Sequence, residues 1–330
     1  MYTPFVDFFR REYLEGFIKA GGSKIKFYMS SYPELRQELF RELVRQAAAC
    51  GYAVAQVDAA AVTKMHLMNN LYQAITANLD LEGYLRSYAR RVIEQLGYNP
   101  DEVPTNETFV DWAVRVHGRV PERLRPETRS VLERDLFRNQ VITRAFATAV
   151  MQLVADELGA LERKLDSKDR ELLYAWLRGE NPRLAELRRF HLFTRIDRYN
   201  ARLFLRSLVE LVRLAGYQGL MVIVDNLDVL LARKETGRLL YGRAARDEFY
   251  ESIRQLIDGI DALHHFAVIL GFGRELVDDD KLGFKSYSAL WMRIEYEITG
   301  SRPNLFRDFL DLDFLPRATG TPSLGRDLNA

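Results

Sequence analysis

Apolar positions change their period three times within the first 60 residues. Phe5, Val6, Phe9, Tyr13, Phe17 and Ile18 recur at near-helical spacing over residues 5–19, and Gly21 and Gly22 stop that helix. "IKFYM" (25–29) then predicts a strand. From Glu34 to Ala49, Leu35, Leu39, Leu43, Val44 and Ala47 share one helical face, Gly51 closes the helix, and "YAVAQVD" (52–58) predicts a second strand. Strand, helix and strand in such close succession form a parallel βαβ unit with a crossover helix. From about 62 to 215 the period stays helical, as in "LRSYARRVIEQL" and "NARLFLRSLVELVRLAG", with loop-like "GYNPDEVPTNE" (97–107) and "GRVPERLRP" (118–126) between helices. Sheet-like patterning returns in "GLMVIVDNLDVLL" (219–231) and "HFAVILGFG" (265–273), whose unbroken apolar runs predict strands buried on both faces. The helix "DEFYESIRQLIDGIDAL" (247–263) lies between them. The expected organisation is an α/β core of residues 1–60 and 216–313, a helical insertion at 61–215 and a flexible tail at 314–330.

Composition narrows the function classes. The 330 residues are 48% hydrophobic and 28% charged, enough for a sizeable core in one large or two moderate domains. A formal charge of +1 does not by itself predict a polyanion partner, so any nucleic-acid surface has to be a local patch. The single cysteine, Cys50, follows Ala47, Ala48 and Ala49 at a helix end; it has no partner for an intramolecular disulfide and fits a small packed residue in a reducing compartment. No apolar run reaches the roughly 18 residues of a spanning helix, and the opening "MYTPFVDFFRREYLEGFI" lacks the pattern of a signal peptide. The expected setting is the cytoplasm, with no membrane association.

Two stretches carry candidate chemistry. "KIKFYMSSYPELRQELFREL" (24–43) has the strand–turn–helix layout of a phosphate-binding loop, yet its turn holds no glycine and its helix opens on proline and glutamate. "MVIVDN" delivers Asp225 to the carboxyl edge of a parallel sheet, where open α/β folds bind ligands. In P-loop NTPases an acid there helps hold Mg²⁺, while the loop after an earlier strand supplies backbone N–H groups and a lysine. A buried strand that ends at a solvated aspartate has the same pattern.

"FIKAGGSKIKF" (17–27), "GYAVAQVDA" (51–59), "GLMVIVDNLDVLL", "ESIRQLIDGID" (251–261) and "SYSALWMRI" (286–294) resemble, in order and spacing across most of residues 1–313, the ATP-binding protein family of BREX bacteriophage-exclusion systems. That resemblance implies a P-loop NTPase-like, RecA/AAA-like parallel sheet with crossover helices, interrupted by a large helical insertion. It also implies an antiviral assembly with other defence-system proteins as partners. It places Ser30, Pro33 and Leu35 on the three glycines of G-x-x-G-x-G-K-[ST], Arg36 on the lysine and Gln37 on the Mg²⁺-binding hydroxyl. Every diagnostic position differs. Leucine and proline do not readily take the φ > 0 conformations that wrap N–H groups inward, and Pro33 has no N–H to offer. Arginine is bulkier and forked where the loop needs a compact ammonium. In their place Ser31-Tyr32-Pro33-Glu34 fits a capping box, with Ser31 as N-cap and Glu34 at N3, whose carboxylate satisfies a donor and repels phosphate. Asn226 stands where many relatives carry a water-activating carboxylate; Asp228 could substitute or serve as a solvated cap. "GFG" (271–273) offers no side chain to sense a γ-phosphate.

The resulting expectation is a catalytically impaired ATPase-like subunit or scaffold of a phage-defence complex. Asp225 and Asn226 are its Walker-B-like positions, and Arg36, Gln37 and Asp225 are remnants of a nucleotide site. No cofactor is expected, with ATP and Mg²⁺, the metal on Asp225, only if the site still works. An active ATP-hydrolysing protein is the first alternative. The second is a DNA-binding module: Arg195, Arg198, Arg202 and Arg206 repeat every three or four residues, which predicts one basic stripe on a helix over 195–206. A solvated face paired with Glu186 and Asp197 is the favoured reading of that stripe. In an oligomer, Arg243 or Arg246 of "ARKETGRLLYGRAAR" (232–246) could act as an arginine finger, although a mobile surface loop explains them as well. "VDDDK" (277–281) is a loop of like charge. His66, His117, His191, His264 and His265, with one cysteine, form no zinc pattern.

Overall fold

The computed structural model describes residues 3–298 and 304–315. Five strands, β1 (Ser23–Met29), β2 (Ala53–Asp58), β3 (Leu220–Asp225), β4 (Phe266–Phe272) and β5 (Phe309–Asp311), form one sheet in the order β2-β3-β4-β1-β5, with every pairing parallel. All five carboxyl ends therefore meet along one edge. Register places Asp58 beside Asp225 across β2 and β3, and Met29 beside Phe272 and Asp311 across β1 and its two neighbours.

Both faces of the sheet are covered, which is why the central strands read as unbroken apolar runs. On one face lie α1 (Thr3–Phe9), which continues as a π-helix over Arg10–Phe17, and α2 (Pro33–Ala49). Their Phe5, Phe9, Leu14, Leu39, Phe40 and Leu43 pack with Tyr28, Met221, Ile223, Ala267 and Ile269. The alternate residues of the same strands, Phe27, Val222, Val224, Val268 and Leu270, join a second apolar core on the opposite face.

Between β2 and β3 the chain forms eight helices: α3 (Met68–Ala77), α4 (Leu81–Gln95), α5 (Phe109–His117), α6 (Pro121–Phe137), α7 (Arg144–Leu158), α8 (Ser167–Leu177), α9 (Leu184–Leu187) and α10 (Ala201–Leu214). Asp80, Thr108, Thr143 and Asp166 cap α4, α5, α7 and α8 by accepting a first-turn N–H. The core under the second sheet face runs on into these helices through Tyr72, Tyr88, Val150, Trp176 and Leu208. After β3 come α11 (Arg243–Asp258), α12 (Glu275–Asp278) and α13 (Ser288–Ile298).

One strand was not expected from the sequence. β5 has three residues, too few for period-two alternation to register, yet it pairs Phe27–Met29 of β1. The segment before it is stitched to the sheet by Lys26, a fully buried β1 residue whose Nζ donates to Tyr13 Oη (2.8 Å) and to the carbonyls of Phe306 (3.1 Å) and Arg307 (2.7 Å). Leu312–Phe314 follow β5 as a 3₁₀ turn, so the expected tail begins on an ordered element; its residues 316–330 lie outside the described residues.

Candidate functional site

The carboxyl edge gathers two linked clusters. The first centres on Arg36, the fourth residue of α2, which is 1% exposed. Its Nε donates to Asp225 Oδ1 at 2.5 Å and its Nη2 to Asn226 Oδ1 at 3.0 Å, with Asp228 Oδ2 3.8 Å away. Nη1 is buried with no hydrogen-bond partner among the described residues. Asp225 is 4% exposed and also accepts the Asn226 N–H at 2.8 Å. Asn226 sits in the left-handed region (φ 60°), where asparagine is tolerated better than most residues, and its Nδ2 donates to Asp58 at 3.0 Å. Asp228 Oδ1 accepts the Gly273 N–H at 2.6 Å. Burial pushes the Asp228 carboxyl above the ordinary aspartate range, against the pull of the Gly273 N–H and the Arg36 charge. Gly271 of β4 makes this arrangement possible, because a Cβ there would lie 2.5 Å from both Asp225 Oδ1 and the Phe40 ring.

The second cluster closes the turn between β1 and α2. Ser30 Oγ donates to Asp313 Oδ1 (2.7 Å), the Ser31 N–H donates to Asp313 Oδ2 (3.0 Å), and the Tyr32 N–H donates to Ser30 Oγ (3.0 Å). Arg274, just beyond β4, pairs with Asp311, reaches Asp313 Oδ2 at 3.3 Å and donates to Ser31 Oγ at 3.3 Å. Burial raises the Asp313 carboxyl, but the bonds from Ser30, Ser31 and Arg274 outweigh it and hold the group below its usual range.

The capping box expected at Ser31–Glu34 is therefore corrected. Tyr32 is the N-cap and makes no side-chain cap bond, Pro33 is the first helical residue, and Glu34 points into solvent. A carboxylate does sit at this helix start, but it is Asp313 from the far end of the chain. The local S-x-x-E spacing loses to a remote acid that binds two donors of the turn at once.

Arg36 and Asp225, assigned to one remnant site, are in direct contact, with Asn226 joined to both. Gln37 is exposed and lines an open cleft of 670 Å³ together with Asp225 and Asn226, and with Arg41, Gln56, Asp58 and Asn78. The expected basic helix over 195–206 is also corrected. Residues 191–200 are irregular, α10 starts at Ala201, and only Arg202 and Arg206 are helical. Asn181, Asp197 and Asn200 cause this by hydrogen-bonding backbone groups of Ile196, Asp197, Tyr199 and Asn200 that a helix would pair internally. Arg195 and Arg198 are exposed, Arg198 pairing with Glu248 at 2.8 Å, and Arg202 and Arg206 are half-buried, so the four do not form one stripe along a helix.

Arg246 is 5% exposed and donates to the Tyr241 carbonyl at 2.7 Å, which removes it as an arginine finger; Arg243 is exposed. Asp279 and Asp280 serve local turn bonds and Lys285, and among the described residues no group of acids, histidines or cysteine converges as a metal site. No described helix is long and apolar enough to cross a membrane. Asp58, Arg274, Asp311 and Asp313 were not singled out from sequence. The "DLD" run at 311–313 was the available signal, and it lacked the strand that gives it a place.

A parallel sheet with its acid, turn and helix start on one edge has the layout of a nucleotide-binding fold, and a family comparison decides which. The model of the BREX system ATP-binding protein BrxC/D matches residues 12–315, nearly the whole chain. The chain belongs to the BrxC/D family. Its fold is accordingly the P-loop NTPase-like α/β architecture of a BREX system ATP-binding protein. No curated protein and no solved structure matches the chain. Against the ATP and Mg²⁺ that BrxC/D membership suggests, the residues present fit poorly. A metal on Asp225 needs a carboxylate oxygen at about 2.1 Å, and Oδ1 is already held by the Arg36 guanidinium at 2.5 Å and by the Asn226 N–H at 2.8 Å. The turn N–H of Ser31 that would face phosphate is bonded to Asp313.

Proposed function

We propose that this BrxC/D chain is a catalytically impaired, ATPase-like subunit or scaffold of an anti-phage complex, whose partners are other components of its BREX system. The observation that carries this reading is the buried Arg36–Asp225 pair, which puts a permanent side-chain cation where a nucleotide-bound metal would need the acid. Asp313 does the corresponding thing for the phosphate turn. In this reading residues 1–60 and 216–313 supply the ATPase-like core and 61–215 a helical insertion for contacts within the complex. Asn226, engaged with Arg36 and Asp58, orients neighbours and accepts no proton from water.

A second reading, active ATP binding and hydrolysis, draws on the family description and on the cleft beside Asp225 and Asn226. It requires Arg36 to leave Asp225 and Asp313 to leave Ser30. Isothermal titration with ATP and Mg²⁺ separates the two. The impaired subunit gives no micromolar binding; micromolar binding that Asp225→Ala abolishes overturns it.

A further inference from the structure

The segment joining α9 to α10, far from the nucleotide edge in sequence, presents side chains that the fold does not use. Phe193 is 64% exposed, Tyr199 74% and Leu203 50%, whereas Leu192 and Ile196 of the same stretch are fully buried. The backbone under these rings is held firmly. Trp176 Nε1 donates to the Thr194 carbonyl (2.8 Å), Asn181 brackets Ile196 through both its N–H (3.0 Å) and its carbonyl (2.9 Å), and Asn200 ties the Arg195 carbonyl (2.8 Å) and the Asp197 N–H (2.9 Å). Leu192 and Ile196 anchor the two ends of the stretch, and Phe193, Thr194 and Arg195 between them are exposed.

The charge that accompanies the rings is positive. Arg195 is exposed and makes no ion pair among the described residues. The Arg198 guanidinium lies 4.8 Å from the centroid of the Tyr199 ring and donates to its hydroxyl at 2.6 Å. Arg198 also pairs with Glu248 at 2.8 Å, and the exposed Asp197 accepts the N–H groups of Tyr199 and Asn200 at 2.9 and 3.1 Å. Arg202 follows at the start of α10.

We propose that residues 193–203 form a binding ridge for single-stranded nucleic acid. Exposed rings interleaved with guanidinium groups match the two needs of an unpaired strand, π-faces for its bases and cations for its phosphates. A duplex keeps its base faces stacked inside, and an irregular ribbon is not a helix that can enter a groove. An acidic peptide would use the arginines and leave the rings idle.

The test is fluorescence anisotropy of the full chain with a labelled oligothymidylate of about 20 nucleotides, its duplex and an oligoglutamate, at about 50 and 200 mM salt. The ridge predicts single-strand binding about 10-fold tighter than duplex binding. Phe193→Ala and Tyr199→Ala each weaken it about 10-fold with the salt slope unchanged, while Arg195→Glu weakens it and flattens the slope. Both rings are exposed, so thermal melts of the alanine variants match the parent. Absent binding, equal duplex binding, alanine variants that bind like the parent, or oligoglutamate bound with the same dependence on the two rings each overturn the proposal.

Discussion

Replacing Arg36 with methionine removes the guanidinium and leaves Asp225, 4% exposed, with only the Asn226 N–H at 2.8 Å. An exposed pair broken this way would cost at most about 1 kcal/mol. Breaking a buried pair strands a desolvated charge and costs about 3–5 kcal/mol. Asp225→Asn approaches the same pair from the other side and leaves the guanidinium with Asn226 Oδ1 and, at 3.8 Å, Asp228; its cost is about 3 kcal/mol by the same reasoning. The double variant removes both charges and returns to within about 2 kcal/mol of the parent, since a buried ion pair contributes little net stability over neutral side chains. Urea denaturation of the four proteins reads the coupling directly, and it amounts to several kcal/mol. With unfolding entropy of about 2.1 cal/mol/K per residue, each single variant of a 330-residue chain also melts roughly 4–7 °C lower. Single variants within about 1 kcal/mol of the parent, or strictly additive in the double, would refute a buried, mutually dependent pair.

Asp313→Asn loses charge-assisted bonds to the β1–α2 turn and to Arg274, and destabilises by about 1–3 kcal/mol at neutral pH. Because the folded carboxyl titrates below its unfolded value, its contribution is present above the unfolded pKa of about 3.9 and fades as pH falls through the lower folded value. Calorimetric melts from neutral pH down to about pH 3 should therefore converge for parent and variant; a gap that stays constant or widens on acidification contradicts the assignment. Gly271→Ala forces a methyl between Asp225 and Phe40 and costs about 1–3 kcal/mol. An unchanged urea midpoint would show that the space behind Asp225 is larger than it looks.

Strands β1 to β4 and helix α2 were legible because their patterns are local: buried runs of five to seven residues in β1, β3 and β4, alternation in β2 and one apolar helical face in α2. The arrival of Asp225 at the sheet edge followed from the same patterning, and Arg36 from the loop register. Local reasoning failed where a remote group won. Ser31 and Glu34 had the right spacing for a capping box, but Ser31 gives its N–H to Asp313, 282 positions away. Residues 195–206 had helical charge spacing, but Asn181 and Asn200 hold the first half open by bonding its backbone. β5 was invisible because three residues carry no period, and with it went Arg274, Asp311 and Asp313, whose roles depend on where that strand lies.

Ser30 and Asp313 meet across 283 positions of the chain, so the turn and its filler leave the ribosome at very different moments. At about 5–20 residues per second, the interval is roughly 15–60 s. During that time β1 and β2 still lack β3 and β4, the strands that lie between them in the sheet, the serine turn is bare, and Lys26 is without the carbonyls that later surround it. A partner that captures the nascent chain therefore meets an open turn, and one that engages the finished protein meets a closed one.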